Sequence, residues 1–192
     1  MTRLALLRHG HTAWNRAHRI QGRTDVPLDP EAEAHLRDLC LPEPWEHATL
    51  VSSPLARAMQ TGQILTGKAP HIEPALIEMD WGAWEGQHGA KLRADPASGF
   101  RDIEEWGWEW HPPGGESPAT LRARLRPWAE ALRGDTLAVC HIGVMRVLMA
   151  IATGWDFAGT APFKIKRDRL YIIEIENRCW SARPTPLALE RR

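Results

Sequence analysis

The apolar run Leu4-Ala5-Leu6-Leu7 ends abruptly at a polar turn, and this junction constrains the fold more than any other segment of the chain. The run predicts a buried strand, and the turn that follows it is Arg8-His9-Gly10-His11-Thr12. Arginine offers a planar fork of donors that matches a phosphate, and histidine is readily poised near neutral pH. Glycine lets the backbone turn sharply and come close to a ligand. The junction therefore indicates a strand followed by a turn whose residues bind phosphate.

Predicted strands and helices alternate along the rest of the chain. Further strands are predicted from short apolar runs at residues 49–51, 137–139 and 171–175. Helices are predicted to start where a capping residue precedes proline, at Asp29-Pro30, Ser53-Pro54 and Ser117-Pro118, and one more follows His141. This alternation predicts an α/β fold, a three-layer α/β/α sandwich with a mostly parallel central sheet.

The spacing of apolar residues predicts which side of a helix is buried and where a helix ends. We expect the helix after Asp29 to carry Leu36, Leu39 and Cys40 on its apolar side. The last helix should end at Gly154, a residue suited to a left-handed C-cap. We expect the segment after the last strand to form a polar, loose tail.

A length of 192 residues suits one domain, which we expect to span residues 1–192. Residues 80–115 are rich in Trp, Gly and Pro and predict an irregular insertion or lid over one end of the sheet. The tryptophans of residues 106–110 would either pack a leaving group or form a hydrophobic cluster that pins the loop. Tryptophans left exposed would mark a dimer surface, so a homodimer stays open.

The balance of charges and the spacing of the cysteines limit the partners and the cellular locations that the protein can have. Lys and Arg together number 24, as do Asp and Glu, and this balance argues against a nucleic-acid partner or an anionic membrane surface. Cys40, Cys140 and Cys179 are widely spaced and suggest no disulfide framework. The start of the chain resembles no signal peptide, and no apolar stretch is long enough to span a bilayer. We therefore expect a cytoplasmic protein.

Three predicted strands lead into residues that bind phosphate well: Arg8 with His9, then Arg57, then His141. Sheets of this class place ligands beyond the carboxyl ends of their strands, so we expect these side chains to meet. Each alone has an ordinary structural explanation, but three at one edge are hard to explain by core packing. Arg8, Arg57 and His141 would then surround the phosphoryl oxygens while neutral His9 attacks phosphorus. The leaving alkoxide needs a proton, so a carboxylic acid should stand opposite the nucleophile.

Five segments, taken in order, resemble the motifs of the histidine phosphatase superfamily, the phosphoglycerate-mutase-like proteins: residues 8–12, 52–61, 75–82, 113–117 and 140–146. The resemblance implies a phosphoglycerate-mutase-like fold and a phosphatase that needs no metal and no cofactor. It implies a small phosphorylated metabolite as the partner and His9 as the nucleophile. It also implies a phosphate-binding role for Arg8, Asn15, Gln21, Gly22, Arg57 and His141.

The resemblance implies Glu78 as the acid, with Asp80 the second choice and Glu85 the third. Burial and a nearby phosphate should raise the pKa of Glu78. Two positions depart from the family pattern. His11 replaces a Glu or Gln and is either a titratable cation near the phosphate or a surface histidine. Ile142 replaces a Gly, so either the turn keeps an ordinary backbone or His141 is displaced.

Other functions stay open at this stage. His9 and His11 resemble the first ligand pair of a metal-dependent hydrolase, although Arg8 would repel a cation. A non-catalytic phospho-ligand-binding protein is a further class, and phosphoglycerate mutase-type transfer is a third alternative. Mutases of the superfamily are longer, so the short chain favours hydrolysis. Residues 78–86 are similar to α-ribazole phosphatases and broad-specificity phosphatases, which leaves nucleotide-like, sugar and glycerate substrates open.

Overall fold

The structure, a computed structural model, describes residues 1–192. Its strands are β1 (Thr2–Arg8), β2 (Leu39–Cys40), β3 (Thr49–Ser52), β4 (His71–Ile72), β5 (Asp135–Cys140), β6 (Arg169–Glu176), β7 (Cys179–Ala182), β8 (Leu187–Ala188) and β9 (Glu190–Arg191). Its α-helices are α1 (Ala13–Arg16), α2 (Pro30–Arg37), α3 (Ala56–Thr66), α4 (Gly89–Ala94), α5 (Pro118–Ala131) and α6 (Ile142–Thr153). Every strand and helix predicted from the sequence is present.

The central sheet has the strand order β4-β3-β5-β1-β6-β7, and β8 also pairs with β6. Strands β4, β3, β5 and β1 run parallel, whereas β6 is antiparallel to β1 and is itself antiparallel to β7 and β8. Arg8 pairs with Cys140, and Ser52 pairs with Val139. The carboxyl ends of β1, β3 and β5 therefore lie side by side, and the antiparallel β6 begins at that same edge.

Side chains of β1 alternate between two helical layers. Leu4 and Leu6 pack in the core cluster that contains residues of α5 and α6, whereas Ala5 and Leu7 pack in the cluster that contains residues of α2 and α3. Successive side chains of a strand point to opposite faces, so an unbroken apolar run is what a sheet covered on both faces requires. The predicted three-layer α/β/α sandwich is confirmed.

Two of the three predicted helix starts are confirmed by their caps. The Asp29 carboxylate accepts a hydrogen bond from the Ala32 amide at 2.7 Å, and the Ser117 hydroxyl accepts one from the Thr120 amide at 3.1 Å. The third start was wrong, because α3 begins at Ala56 rather than at Pro54. The Ser53 amide still donates to the Val139 carbonyl, which keeps Ser53 extended beside the sheet.

The predicted end of helix α2 and the predicted loose tail were also wrong. Helix α2 stops at Arg37, and Leu39 and Cys40 instead form β2, which pairs with β9. The segment after β6 is not a loose tail, because Asn177 and Arg178 adopt positive φ values and turn the chain back into β7. Two consecutive residues with positive φ suit the tight turn of a β-hairpin. The C-terminal segment thus completes both sheets.

The tryptophan-rich segment contributes to the core. Trp84 and Trp106 are only 2% and 4% exposed, and the ring centroids of Trp106 and Trp110 lie 4.6 Å apart. These rings therefore form a buried cluster that pins an irregular segment of short helical turns. The ten tryptophans are all buried or half-buried. None of the helices has the length and apolarity that a membrane crossing requires.

Candidate active site

The carboxyl edge of the sheet brings His9, Arg57 and His141 together, as the sequence predicts. The ring centroids of His9 and His141 lie 5.1 Å apart, and Arg57 Nε donates to His141 Nδ1 at 3.3 Å. All three side chains are buried. Each comes from a different element: the turn after β1, the first turn of α3 and the residue before α6.

The position of His9 fixes its tautomer. Its Nδ1 lies 2.6 Å from the Gly10 carbonyl oxygen, and a carbonyl only accepts, so Nδ1 carries the hydrogen. Nε2 then keeps a free lone pair. Burial holds the pKa of His9 far below its ordinary value of 6.5, and the nearby charges of Arg57 and Arg8 lower it further. A neutral imidazole with a free nitrogen is the form that a nucleophile needs.

His141 is also held neutral, in the opposite tautomer. Its Nδ1 accepts from Arg57, and its Nε2 donates to Ser53 Oγ at 2.7 Å. Burial is the main reason that the pKa of His141 lies well below 6.5. Ile142 simply opens α6, with no positive φ. Of the two outcomes expected for this departure from the family pattern, the ordinary backbone is the one observed.

Arg57 anchors the loop that contains Gly22. Its guanidinium donates to the Gly22 carbonyl at 2.6 Å and to the Thr24 carbonyl at 2.9 Å. A Cβ on Gly22 would lie 2.5 Å from Glu85 Oε2, so a larger residue there would displace the Glu85 carboxyl. Glu85 accepts from the Thr24 amide. Glu85, the third choice for the acid, thus braces this loop.

Two buried donors in the site have no partner within the chain. They are Arg8 Nε and Gln21 Nε2. The amide of Gln21 is oriented by Thr12, whose hydroxyl donates to Gln21 Oε1 at 3.1 Å and so leaves Nε2 free. Burial, together with the charge of Arg167, lowers the pKa of Arg8 to about 9. An unsatisfied buried donor costs about 1–3 kcal/mol, more when it is charged, so this arrangement is suited to an anionic ligand.

Arg167, which the sequence did not single out, ties this site together. Its Nε donates to the His9 carbonyl at 3.1 Å, and its NH2 group donates to Asn15 Oδ1 at 2.9 Å. Asn15 Oδ1 also accepts from the Thr12 amide at 3.2 Å, which leaves the Asn15 NH2 group free. Burial lowers the pKa of Arg167 to about 10. The only signal in the sequence was a basic stretch before the last strand.

Replacing Arg167 by methionine should weaken binding of inorganic phosphate by about tenfold, because a cation and the anchor of Asn15 are lost together. It should also move the acid limb of kcat/KM to higher pH, since the positive charge of Arg167 helps to lower the pKa of His9. Phosphate inhibition and a pH–rate profile measure both effects. Arg169→Met is the matched control, because Arg169 donates only to the Asp168 carbonyl. An unchanged acid limb would refute this role.

Glu78 lies at the amino end of α6. It is 2% exposed, and its carboxyl accepts from the Gly143 amide at 3.1 Å and from the Val144 amide at 3.3 Å. Burial raises the pKa of Glu78, although the Met79 and Gly143 amides oppose the rise. A Cβ on Gly143 would lie 2.4 Å from Glu78 Oε1, so glycine makes this approach possible.

Asp80, the second choice for the acid, lies two residues after Glu78 in a different environment. Asp80 is 37% exposed, accepts from the Gly82 amide at 2.8 Å and pairs with Arg23 at 3.6 Å. Arg124, paired with Glu116, donates to the Glu78 carbonyl at 3.3 Å. Of the three predicted acids, Glu78 is the one that is buried, and that burial raises its pKa.

His11 lies outside this cluster. It is half-buried, makes no side-chain hydrogen bond within the chain, and lines a cleft of about 220 Å³ with Arg16, His35 and Arg167. Burial is the main cause that lowers the pKa of His11. No group of three or more His, Cys, Asp or Glu side chains is arranged to hold a metal ion.

Comparisons with known proteins agree with this geometry. The family model of the histidine phosphatase superfamily (branch 1) matches residues 4–184. The glucosyl-3-phosphoglycerate phosphatase of Mycobacterium tuberculosis is 36% identical over 168 residues, 77% of this chain and 74% of that protein.

Solved structures agree as well. A mycobacterial glucosyl-3-phosphoglycerate phosphatase with VO3 has a TM-score of 0.80 at 27% identity, over 95% of this chain and 98% of that one. A phosphoglycerate mutase from Thermus thermophilus has a TM-score of 0.74 at 31% identity, over 98% of this chain and all of that one. The expected phosphoglycerate-mutase-like fold is confirmed.

Proposed function

The chain belongs to the histidine phosphatase superfamily, and from this premise we propose that it hydrolyses a small phosphorylated metabolite through a phosphohistidine at His9. The observation that carries the proposal is the pair of buried, unpartnered donors, Arg8 Nε and Gln21 Nε2, beside a neutral histidine. In a folded protein such donors are nearly always satisfied, so they point to a missing acceptor. A phosphoryl group supplies acceptor oxygens and negative charge at once.

In the first step, His9 Nε2 attacks phosphorus, the P–N bond forms and the bond to the leaving oxygen breaks. Protonated Glu78 gives its proton to that oxygen, and the alcohol departs. In the second step, the Glu78 carboxylate takes a proton from water, which attacks phosphorus and breaks the P–N bond to release phosphate. Arg8 and Arg57, with the free amide groups of Asn15 and Gln21, bind the phosphoryl oxygens throughout, and His141 binds them by turning its Nε2 hydrogen from Ser53 Oγ to a phosphoryl oxygen.

This mechanism assigns no step to a metal or a cofactor. Phosphate release from p-nitrophenyl phosphate with excess chelator tests that claim, and full turnover is the expected result. Loss of turnover with chelator and its return with Zn²⁺ would make His9 and His11 metal ligands.

The pH dependence of kcat/KM reports the protonation of the free enzyme. Because the pKa of His9 lies far below 6.5, His9 stays neutral below that pH, and we expect the acid limb of kcat/KM to lie below pH 6.5.

We also propose the number of domains, the cellular location and the type of reaction. Residues 1–192 form one domain in this account, because the two core clusters include residues from Leu4 to Leu189. The cytoplasm suits a chain whose three cysteines are all free. Hydrolysis, rather than mutase-type transfer, is the proposed reaction, in keeping with the glucosyl-3-phosphoglycerate phosphatase to which the chain is 36% identical.

A further inference from the structure

Arg146 is a cation without a partner close to the proposed site. It is half-buried on α6, one turn after Ile142, and makes no hydrogen bond or ion pair within the chain. Helical side chains lean toward the amino end of their helix, and here that end holds Glu78 and His141. The Arg146 charge contributes to lowering the pKa of Arg8, so the two arginines are within electrostatic range of one another.

Two clefts meet at Arg146. The first, of about 300 Å³, has an apolar wall that includes Trp81, Phe100 and Trp106. The second, of about 270 Å³, is lined by Ile142, Trp155, Phe163 and Lys164, among others. Arg146, Ile103 and Glu104 line both clefts. Since Ile142 directly follows His141, the second cleft begins beside the proposed phosphoryl site, and the leaving alcohol would extend into it.

We propose that Arg146 binds an anionic group on the leaving alcohol, so that the preferred substrates are phosphate monoesters whose alcohol carries a carboxylate or a second anion. This inference rests on the proposed hydrolase function. The phosphoryl group engages Arg8, Arg57 and His141, which leaves the Arg146 guanidinium to a second anion. A neutral alcohol would leave this half-buried charge unpaired. Burial lowers the pKa of Arg146, and the carboxylates of Glu78 and Glu104 oppose that shift. Glu104 is exposed on the same clefts, so its negative charge opposes an anion there.

A pair of matched substrates tests the inference. 3-Phosphoglycerate and glycerol 3-phosphate differ in having a carboxylate or a hydroxymethyl group on the leaving alcohol. We expect kcat/KM for 3-phosphoglycerate to be about tenfold higher or more. Arg146→Met should lower it about 10- to 100-fold for 3-phosphoglycerate, mainly through KM, and leave glycerol 3-phosphate within about twofold. Glu104→Gln should act in the opposite direction on 3-phosphoglycerate.

Two controls separate this role from a structural one. Arg126→Met removes an exposed arginine that pairs with Glu130 and should change neither substrate. Arg146→Lys keeps the charge and should restore part of the preference, which also covers the case that the methionine variant folds poorly.

Each contrary outcome has a defined meaning. Equal losses on both substrates, or no loss on either, would overturn the role of Arg146. Wild-type protein that hydrolyses p-nitrophenyl phosphate without preferring 3-phosphoglycerate would overturn the inference and leave the hydrolase function standing. Absence of phosphate release from all three substrates would overturn both.

Discussion

Replacing His9 by asparagine is expected to lower kcat for p-nitrophenyl phosphate by about 10³-fold or more, because the only proposed nucleophile is lost. Binding of inorganic phosphate should change far less, since Arg8 and Arg57 remain. Steady-state phosphate release gives kcat, and product inhibition gives the phosphate affinity. A loss confined to kcat is what removal of a nucleophile produces.

The neighbouring histidine provides the matched control for this experiment. His11 lies two residues along the same turn, but its half-buried side chain makes no hydrogen bond to the site residues, so His11→Asn should retain kcat within about threefold of wild type. A metal-dependent reaction would give a different pattern, because both histidines would then be ligands. Comparable losses in the two variants, or full activity in His9→Asn, would contradict the assignment.

Replacing Glu78 by glutamine is expected to lower kcat/KM for alkyl phosphates by about 10²- to 10⁴-fold. An alkoxide leaves poorly without a proton, whereas p-nitrophenolate is stable without one. The loss on p-nitrophenyl phosphate should therefore be much smaller. Because kcat/KM follows the steps up to the first irreversible one, this contrast isolates the transfer to His9.

The pH dependence of the same variant carries a second test. The acid must be protonated to act, and burial raises its pKa, so wild-type kcat/KM should fall as pH rises through that pKa. In Glu78→Gln this limb should disappear. Asp80→Asn is the control, because Asp80 is more exposed, and it should keep both the rate and the limb. Equal losses on aryl and alkyl phosphates would show that Glu78 only supports α6.

Much of this site could be predicted because its signals are local. The apolar run before Arg8 fixes a strand, and a strand end fixes the place of His9. Parallel strands that end together then bring in His141 without any knowledge of the loops. The caps at Asp29 and Ser117 were predictable for the same reason, since a cap depends on a few adjacent residues.

The errors concern contacts between distant segments. Arg167 reaches the His9 carbonyl only because β6 is antiparallel to β1, and no local pattern encodes that direction. Leu39 belongs to a strand because its partner comes from the C-terminal segment. Ser53 does not cap α3, because its amide bonds to the sheet and its hydroxyl bonds to His141 and to the Leu55 amide, which precedes the helix. Such pairings are tertiary and override local preference.

The most direct test of the central claim is to trap the phosphorylated enzyme. Wild-type protein is mixed rapidly with substrate, quenched in alkali, in which phosphohistidine survives, and digested for mass spectrometry. We expect a phosphoryl group at an imidazole nitrogen of the peptide that contains His9. We expect no phosphoryl group on the same peptide of His9→Asn. Turnover in the wild-type protein with no phosphoryl group on His9, or with one on another residue, would contradict the central claim.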